Sequence, residues 1–217
     1  MTISEQMEQL IDSIALFRVP SSWARLSYPS KRGLGSWLEN LNKRIKQLSD
    51  WKDDPLTIPK VTILSRLFNP QSFLTAIKQV IGRKNGWELN KMTISTEITK
   101  KNYPEEIDNP GRDGAYIYGL VLEGARWDIN NGQLEDSKPK EMFYLMPVIF
   151  CKAQLTNGEG KEEKGFYYCP CYVTEDRGKN YIFTAQLRTR SHPRKWVLGG
   201  VALLLDVESV NDESRKR

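Results

Sequence analysis

Histidine is nearly missing from this chain: His192 is the only one among 217 residues, and there are just three cysteines. General bases that work near neutral pH are most often histidines, and a lone His192 reads more simply as a surface or capping residue. Cys169-Pro170-Cys171 is too tight a pair for an ordinary structural disulfide, and Cys151 lies well upstream. With His192 these residues can be drawn as a zinc site, but the spacing lacks the CxxC-like pairs such sites use. Buried, reduced thiols are the simpler reading. The sequence also lacks a GxxxxGK[ST] phosphate loop, a GxGxxG turn, HExxH and GxSxG, which removes the usual nucleotide, zinc-protease and serine-hydrolase signatures. No apolar run approaches the roughly 20 residues of a membrane helix, and the N-terminus has no signal-peptide core. The expectation is a non-catalytic binding module without cofactor or metal, kept in the cytoplasm or a compartment continuous with it.

Apolar residues make up 39% of the sequence and charged residues 27%, enough of each for a packed core and a solvated surface. The net charge of +5 arises from 32 Lys and Arg set against 27 Asp and Glu. Basic clusters at Lys43, Arg44 and Lys46, at Arg83-Lys84, at Lys100-Lys101 and over 188–195 mostly have acids nearby. That pattern favours a mixed-sign surface over the continuous basic stripe of a nucleic-acid binder. Six tryptophans indicate an aromatic core or a large buried interface.

The first part of the sequence is helical in period. Ile3, Met7, Leu10, Ile11, Ile14 and Phe17 share one face of a helix over 2–17, with Thr2 and Glu5 spaced as a capping box. That helix should stop before Val19-Pro20. The abrupt helical start is what a piece of a longer protein would show. After a proline-punctuated connector, Leu34, Trp37, Leu38, Leu41, Ile45 and Leu48 predict a second helix, with Lys43, Arg44, Lys46 and Gln47 on its polar face. Such a basic amphipathic helix over 34–51 could bind calmodulin or a membrane surface, but its tryptophans favour packing on the core. The segment 61–68 is apolar and reads equally as strand or short helix. Asn69 as N-cap and Pro70 at the first turn open a third helix, which Asn85-Gly86 closes.

From Leu89 the period becomes two. Met92, Ile94 and Ile98 alternate with polar residues, and later strands are expected near 148–153, 166–173, 181–189 and 200–207. Residues 158–165 read as an exposed hairpin loop and 193–198 as a short helical turn. The stretch 113–128 organises the rest: 115–122 is apolar on both faces, as in a doubly buried strand, and Gly114 and Gly124 bracket it. Glu123, Arg126 and Asp128 follow at once and predict a local ion-pair network holding a bend. A catalytic carboxylate pair is the sharper alternative, but no nucleophile, metal ligand or histidine accompanies it. If Arg126 covers a buried carboxylate, Arg126→Ala should cost about 3–5 kcal/mol.

Helices first and about six strands afterwards, joined without long crossovers, give an α+β fold. Residues 1–88 form a helical subdomain, 89–207 an incomplete antiparallel β-barrel, and 208–217 a charged, flexible tail.

Several segments, taken in order, resemble the C-terminal region of dynein heavy chains, especially axonemal chains of the outer-arm β-like type. They are Val19-Pro20-Ser21-Ser22-Trp23, Tyr28-Pro29-Ser30, Leu34-Gly35-Ser36-Trp37, Phe68 to Ile77, Thr99-Lys100-Lys101 and, most specifically, Tyr116 through Asp128. Met146 to Phe150, Tyr168-Cys169-Pro170 and Trp196 to Leu205 complete a likeness that spans about residues 1–207. The resemblance implies a non-catalytic module that packs on a ring of AAA+ modules of the same heavy chain and influences force, processivity and ATPase coupling. It places ATP and Mg, microtubule binding and the intermediate and light chains with other parts of the parent motor. It also implies location in the cytoskeleton, at the axoneme of a cilium or flagellum. Trp23, Tyr28, Trp37 and Asn69 are the ring-contact residues it suggests, with no role for nucleic acid or membrane. Ile63 to Leu67 is less aromatic than usual for the family, 174–180 is compact, and the tail runs past the usual end. A stand-alone module for an acidic partner or an oligonucleotide is the alternative.

Overall fold

A computed structural model describes residues 4–28, 30–55, 57, 59–156 and 164–207. The fold divides into two compact units, one of residues up to Thr57 and one of residues 58–207. The helix Pro70–Asn85, grouped by sequence with the helical residues 1–88, therefore belongs with the strands. The expected hairpin loop over 158–165 lies largely outside the described residues, as do the tail and the Thr2 cap.

The first unit holds three helices: α1 (Glu5–Ala15), α2 (Ser21–Leu26) and α3 (Leu34–Asp53). Ser4 caps α1, its hydroxyl accepting from the Met7 amide at 3.4 Å, and Glu5 and Glu8 place acids in the first turn, where the helix dipole favours them. Phe17 at φ 55° breaks the backbone's direction before Pro20 is reached. What reads as an irregular connector contains α2, which starts directly after Pro20. In α3 the buried stripe is Leu34, Trp37 and Arg44, whereas Leu38 and Ile45 stay exposed at 40% and 50%. The helix is thus rotated from the expected face, and Arg44, assigned by sequence to the polar side, turns inward.

The second unit is built from α4 (Pro70–Asn85), α5 (Pro193–Leu198) and eleven strands among the described residues. A four-stranded sheet has the order β1-β3-β8-β2, formed by Val61–Ile63, Gly114–Tyr118, Ile149–Leu155 and Met92–Ile98. A five-stranded sheet runs β10-β9-β11-β4-β7, formed by Tyr181–Arg188, Phe166–Tyr172, Ala202–Leu204, Val121–Glu123 and Phe143–Leu145. The strands β5 (Arg126–Asp128) and β6 (Gln133–Glu135) make a small hairpin. α4 packs against β2, β3, β8 and β10. Its caps are those the sequence announces: Asn69 Oδ1 accepts from the Ser72 amide at 3.0 Å, and Gly86 closes the helix at φ 69°.

The organising run is not one strand. Gly119 adopts φ 90°, a conformation open to glycine but strained for other residues, and the backbone passes there from β3 in one sheet to β4 in the other. Gly114 serves differently, since a Cβ at that position would lie 2.1 Å from the Cys151 carbonyl across the β3–β8 ladder. Pairing is also not uniformly antiparallel. β1 runs parallel to β3, and β11 parallel to β9. Both pairs are separated by other elements, so the connections are long enough for the crossover that parallel strands require.

Burial follows the period of two in β8 and β9, where Ile149, Cys151 and Ala153, then Tyr167, Cys169 and Cys171, all face inward. β2 departs from it: Ser95 and Thr96 are both buried. This strand is covered by α4 and also touched by β10, and the Thr96 hydroxyl accepts the Gln186 amide at 2.7 Å. Ile117, Leu122, Ile149, Leu187, Leu203 and Leu204 are fully buried at 0% and mark the core.

Candidate functional site

α1 buries none of its residues. Met7, Ile11 and Ile14 are 51%, 50% and 40% exposed, and Phe17 just beyond the helix is 79% exposed. Their i, i+4, i+7 spacing puts them on one face. A helix this amphipathic normally gains its stability by burying that face, and among the described residues nothing buries this one.

Three of the four ring-contact residues suggested by the sequence come together from α2, α3 and the segment that joins them. Trp23 and Tyr28 each stack on Trp37, with ring centroids 6.1 and 6.2 Å apart. The Tyr28 hydroxyl donates to the Trp37 carbonyl at 3.3 Å, and the Arg44 guanidinium lies 3.5 Å from the centre of the Tyr28 ring. Arg44 Nε also donates to Asn40 Oδ1 at 2.8 Å. Tyr28 and Trp37 are 6% and 4% exposed, so they shape the unit from inside, while Trp23 keeps part of its surface open. A buried arginine is tolerated when its charge meets a ring face and hydrogen-bond acceptors. Sequence spacing carries a signal for Arg44: it follows Asn40 by four residues and Trp37 by seven, on the same helical stripe. Asn69 belongs to the second unit, exposed, as the cap of α4.

Glu123, Arg126 and Asp128 do not pair with one another as expected. Glu123 ends β4 and accepts from Arg177 Nη2 at 2.7 Å. Arg126 begins the separate β5–β6 hairpin, beyond the turn at Gly124. Its Nε lies 3.9 Å from Glu141 Oε2, with no hydrogen bond to that nitrogen, and its guanidinium is 5.4 Å from the Tyr144 ring centre. Burial raises the Tyr144 phenol, and Arg126 partly opposes that shift. Asp128 caps the following turn: Oδ1 accepts from the Asn130 and Asn131 amides at 2.9 and 3.2 Å, and Oδ2 from the Asn131 side chain. Those bonds, led by the Asn131 side chain, lower its pKa. Arg177 escapes sequence reasoning, because its link to Glu123 spans 54 positions and leaves no local pattern.

Cys151, Cys169 and Cys171 are free and buried. Burial pushes the Cys151 thiol up to about 12 and raises Cys169 and Cys171 well above the ordinary thiol value. Thiols held neutral in this way are poor nucleophiles and poor ligands. His192 caps α5, its Nδ1 accepting from the Arg194 amide at 3.2 Å. Among the described residues, no group of His, Cys, Asp and Glu is placed to hold a metal ion, and no helix is long and apolar enough to cross a membrane.

Basic side chains meet acids repeatedly: Lys43 with Glu39 at 2.6 Å, Lys84 with Asp113 at 3.2 Å, Lys91 with Glu88 at 3.0 Å and Lys195 with Asp136 at 2.6 Å. At the C-terminal end of α4 the surface dips into a cleft of about 300 Å³ lined by Gln79, Gly82, Arg83, Gly86, Trp87 and Leu89.

Residues 1–205 match the family model for the C-terminal domain of the dynein heavy chain. Over 207 residues, or 95% of this protein, the sequence is 52% identical to the dynein beta chain of the flagellar outer arm from Chlamydomonas reinhardtii. It is 45% identical to human dynein axonemal heavy chain 9 and 42% identical to a ciliary dynein beta chain from Heliocidaris crassispina, each over the same length. The 217 residues span only 4% of the length of these relatives. With a family model matching nearly end to end, this protein belongs to the family of C-terminal domains of dynein heavy chains.

Proposed function

We propose that this domain is a non-catalytic brace of an axonemal dynein heavy chain, packing on the AAA+ ring of the same polypeptide and tuning force, processivity and the coupling of ATP hydrolysis to movement. The observation that carries this reading is the apolar face of α1, where Met7, Ile11 and Ile14 stand exposed on a helix with no buried residue. An apolar face of this kind marks a surface that another protein layer covers. In a sequence that spans 4% of its relatives, the remainder of the heavy chain is the natural cover.

In this reading Trp23 offers the open part of its surface in the first unit and Asn69 its exposed side chain in the second, while Tyr28, Trp37 and Arg44 fix the shape of the first unit from inside. The strands of the two larger sheets take the part the expected incomplete barrel would play, reaching along the ring. ATP and Mg are held in other modules, and microtubules and the intermediate and light chains are met by other parts of the motor. The domain takes no cofactor of its own. Its place is the axoneme of a cilium or flagellum, in keeping with the flagellar, axonemal and ciliary dyneins it is similar to. The paired lysines favour this reading over a stand-alone binder of oligonucleotides or acidic partners, which would keep its cations free.

The test compares ATPase rate, run length and stall force of the parent motor with and without these 217 residues. Retained ATPase with altered run length or stall force is the expected result. Identical behaviour would remove the tuning role.

A further inference from the structure

Among the described residues, sulfur is either sealed in the core or open to solvent. Cys151, Cys169 and Cys171 are buried as neutral thiols, and Met92 and Met146 are buried with them. The sulfurs that solvent reaches are thioethers: Met7 is 51% and Met142 71% exposed. An oxidant therefore meets methionine before it meets cysteine. Met142 precedes β7, beside Glu141. Met7 instead lies on the exposed face of α1 with Ile11 and Ile14, and with Phe17 just beyond the helix. Its three companions are hydrocarbon and do not react with peroxide.

The chemistry needs hydrogen peroxide and nothing else. The Met7 thioether sulfur attacks one peroxide oxygen, an S–O bond forms, the O–O bond breaks and sulfur gives up an electron pair. The proton on the attacked oxygen passes to the departing hydroxide, which leaves as water. The product sulfoxide is polar, and methionine sulfoxide reductases return it to the thioether. The Met7 amide donates to the Ser4 carbonyl at 2.8 Å and to the Ser4 hydroxyl at 3.4 Å. Oxidation therefore falls on the end of the side chain and not on the first turn of α1.

We propose that Met7 is a reversible oxidation site and that its sulfoxide weakens the contact made by the apolar face of α1. The consequence for contact rests on the ring-packing reading, and the site itself does not. Burying a methionine side chain favours a contact by about tenfold or more, and a sulfoxide oxygen buried without a donor opposes it. A covered face shields the thioether, so the sulfoxide forms in the open state and then disfavours closure. A modification with that preference shifts the population towards the open state. Met7 is thus the point at which redox conditions reach the stripe.

The test treats the intact heavy chain with hydrogen peroxide and reads sulfoxide at each methionine of the domain by mass spectrometry. Crosslinking from a photo-reactive side chain at Ile11 measures the contact. Sulfoxide at Met7 should form roughly tenfold faster than at Met92 and Met146, or faster still. Ile11 crosslinks to AAA+ modules should fall about fivefold and return after treatment with sulfoxide reductases for both epimers. Relative to its own untreated level, Met7→Leu should keep its crosslinks through the same treatment, whereas Met142→Leu should lose them as the native chain does. That pair separates Met7 from oxidation elsewhere in the heavy chain. Met7 oxidising no faster than Met92 and Met146, with Ile11 crosslinks intact, overturns the site and leaves ring packing standing. Sulfoxide at Met7 with undiminished crosslinks, or an equal loss in Met7→Leu, overturns the effect on contact. Rapid sulfoxide at Met7 in a chain that shows no Ile11 crosslinks before treatment upholds the site and removes the ring-packing reading together with that effect.

Discussion

Arg177 ties the end of β4 to the turn before β11: its Nη2 donates to Glu123 Oε2 at 2.7 Å and to the Gly200 carbonyl at 2.8 Å. It does so from φ 52°, ψ −145°, a backbone region that glycine ordinarily takes. The interaction is strong enough to hold a residue where its own backbone would rather not be.

Arg177→Ala should therefore destabilise the domain by about 1–2 kcal/mol, the charge-assisted bonds being discounted for a pair that is a third exposed. Arg177→Gly loses the same bonds but relieves the backbone, so it should cost about 1 kcal/mol less than alanine. Chemical denaturation of both variants measures this. Glycine proving worse than alanine would mean that the conformation is not strained.

Arg126→Ala should cost about 1–2 kcal/mol, less than the 3–5 kcal/mol expected for a buried network. Glu141 remains satisfied without Arg126, because its Oε2 accepts from the Lys138 amide at 2.9 Å and its side chain is 22% exposed. What is lost is packing over Tyr144 and a long ion pair. A loss above about 3 kcal/mol in denaturation would restore the stranded-carboxylate account.

How much of the fold is legible in the sequence depends on whether the physics is local. The caps of α4, Asn69 and Gly86, lie beside the residues they satisfy, and the sequence states them. The strand periods of β8 and β9 are readable for the same reason. The partners of Glu123 and Arg126 are not, since proximity in sequence places opposite charges near one another without placing them on one sheet. Gly119 reads as part of a strand because nothing local distinguishes a glycine within a strand from one that turns it. Arg44 reads as solvent-facing because charge outweighs its position on the tryptophan stripe. The residues that the sequence suggests as ring contacts mix exposed positions, such as Asn69, with buried ones, such as Trp37.

Asp128 should make stability depend on acid. Its carboxylate is favoured by the Asn131 and Asn130 bonds, so its folded pKa is depressed. The contribution is present above the unfolded value of about 3.9 and is lost as pH falls through the lower folded value. The melting-temperature advantage of the native protein over Asp128→Asn should shrink as pH is lowered from about 5 to 2. A difference that does not change with pH would contradict the assigned role.

The three thiols should be silent in the folded protein. At a pH of about 8 a thiol reagent should label Cys151, Cys169 and Cys171 only after denaturation, because burial keeps them protonated and covered. Rapid labelling of any of them in the native state would show that the core around β8 and β9 opens readily.

The most direct test of the central claim puts a photo-crosslinking side chain at Ile11, on the apolar face of α1, in the intact heavy chain. Crosslinks from that position to AAA+ modules of the same heavy chain are the predicted result, and they should be lost when Met7 and Ile14 are both changed to Glu. Crosslinks only to other polypeptides, or none at all, would contradict a domain that braces its own ring.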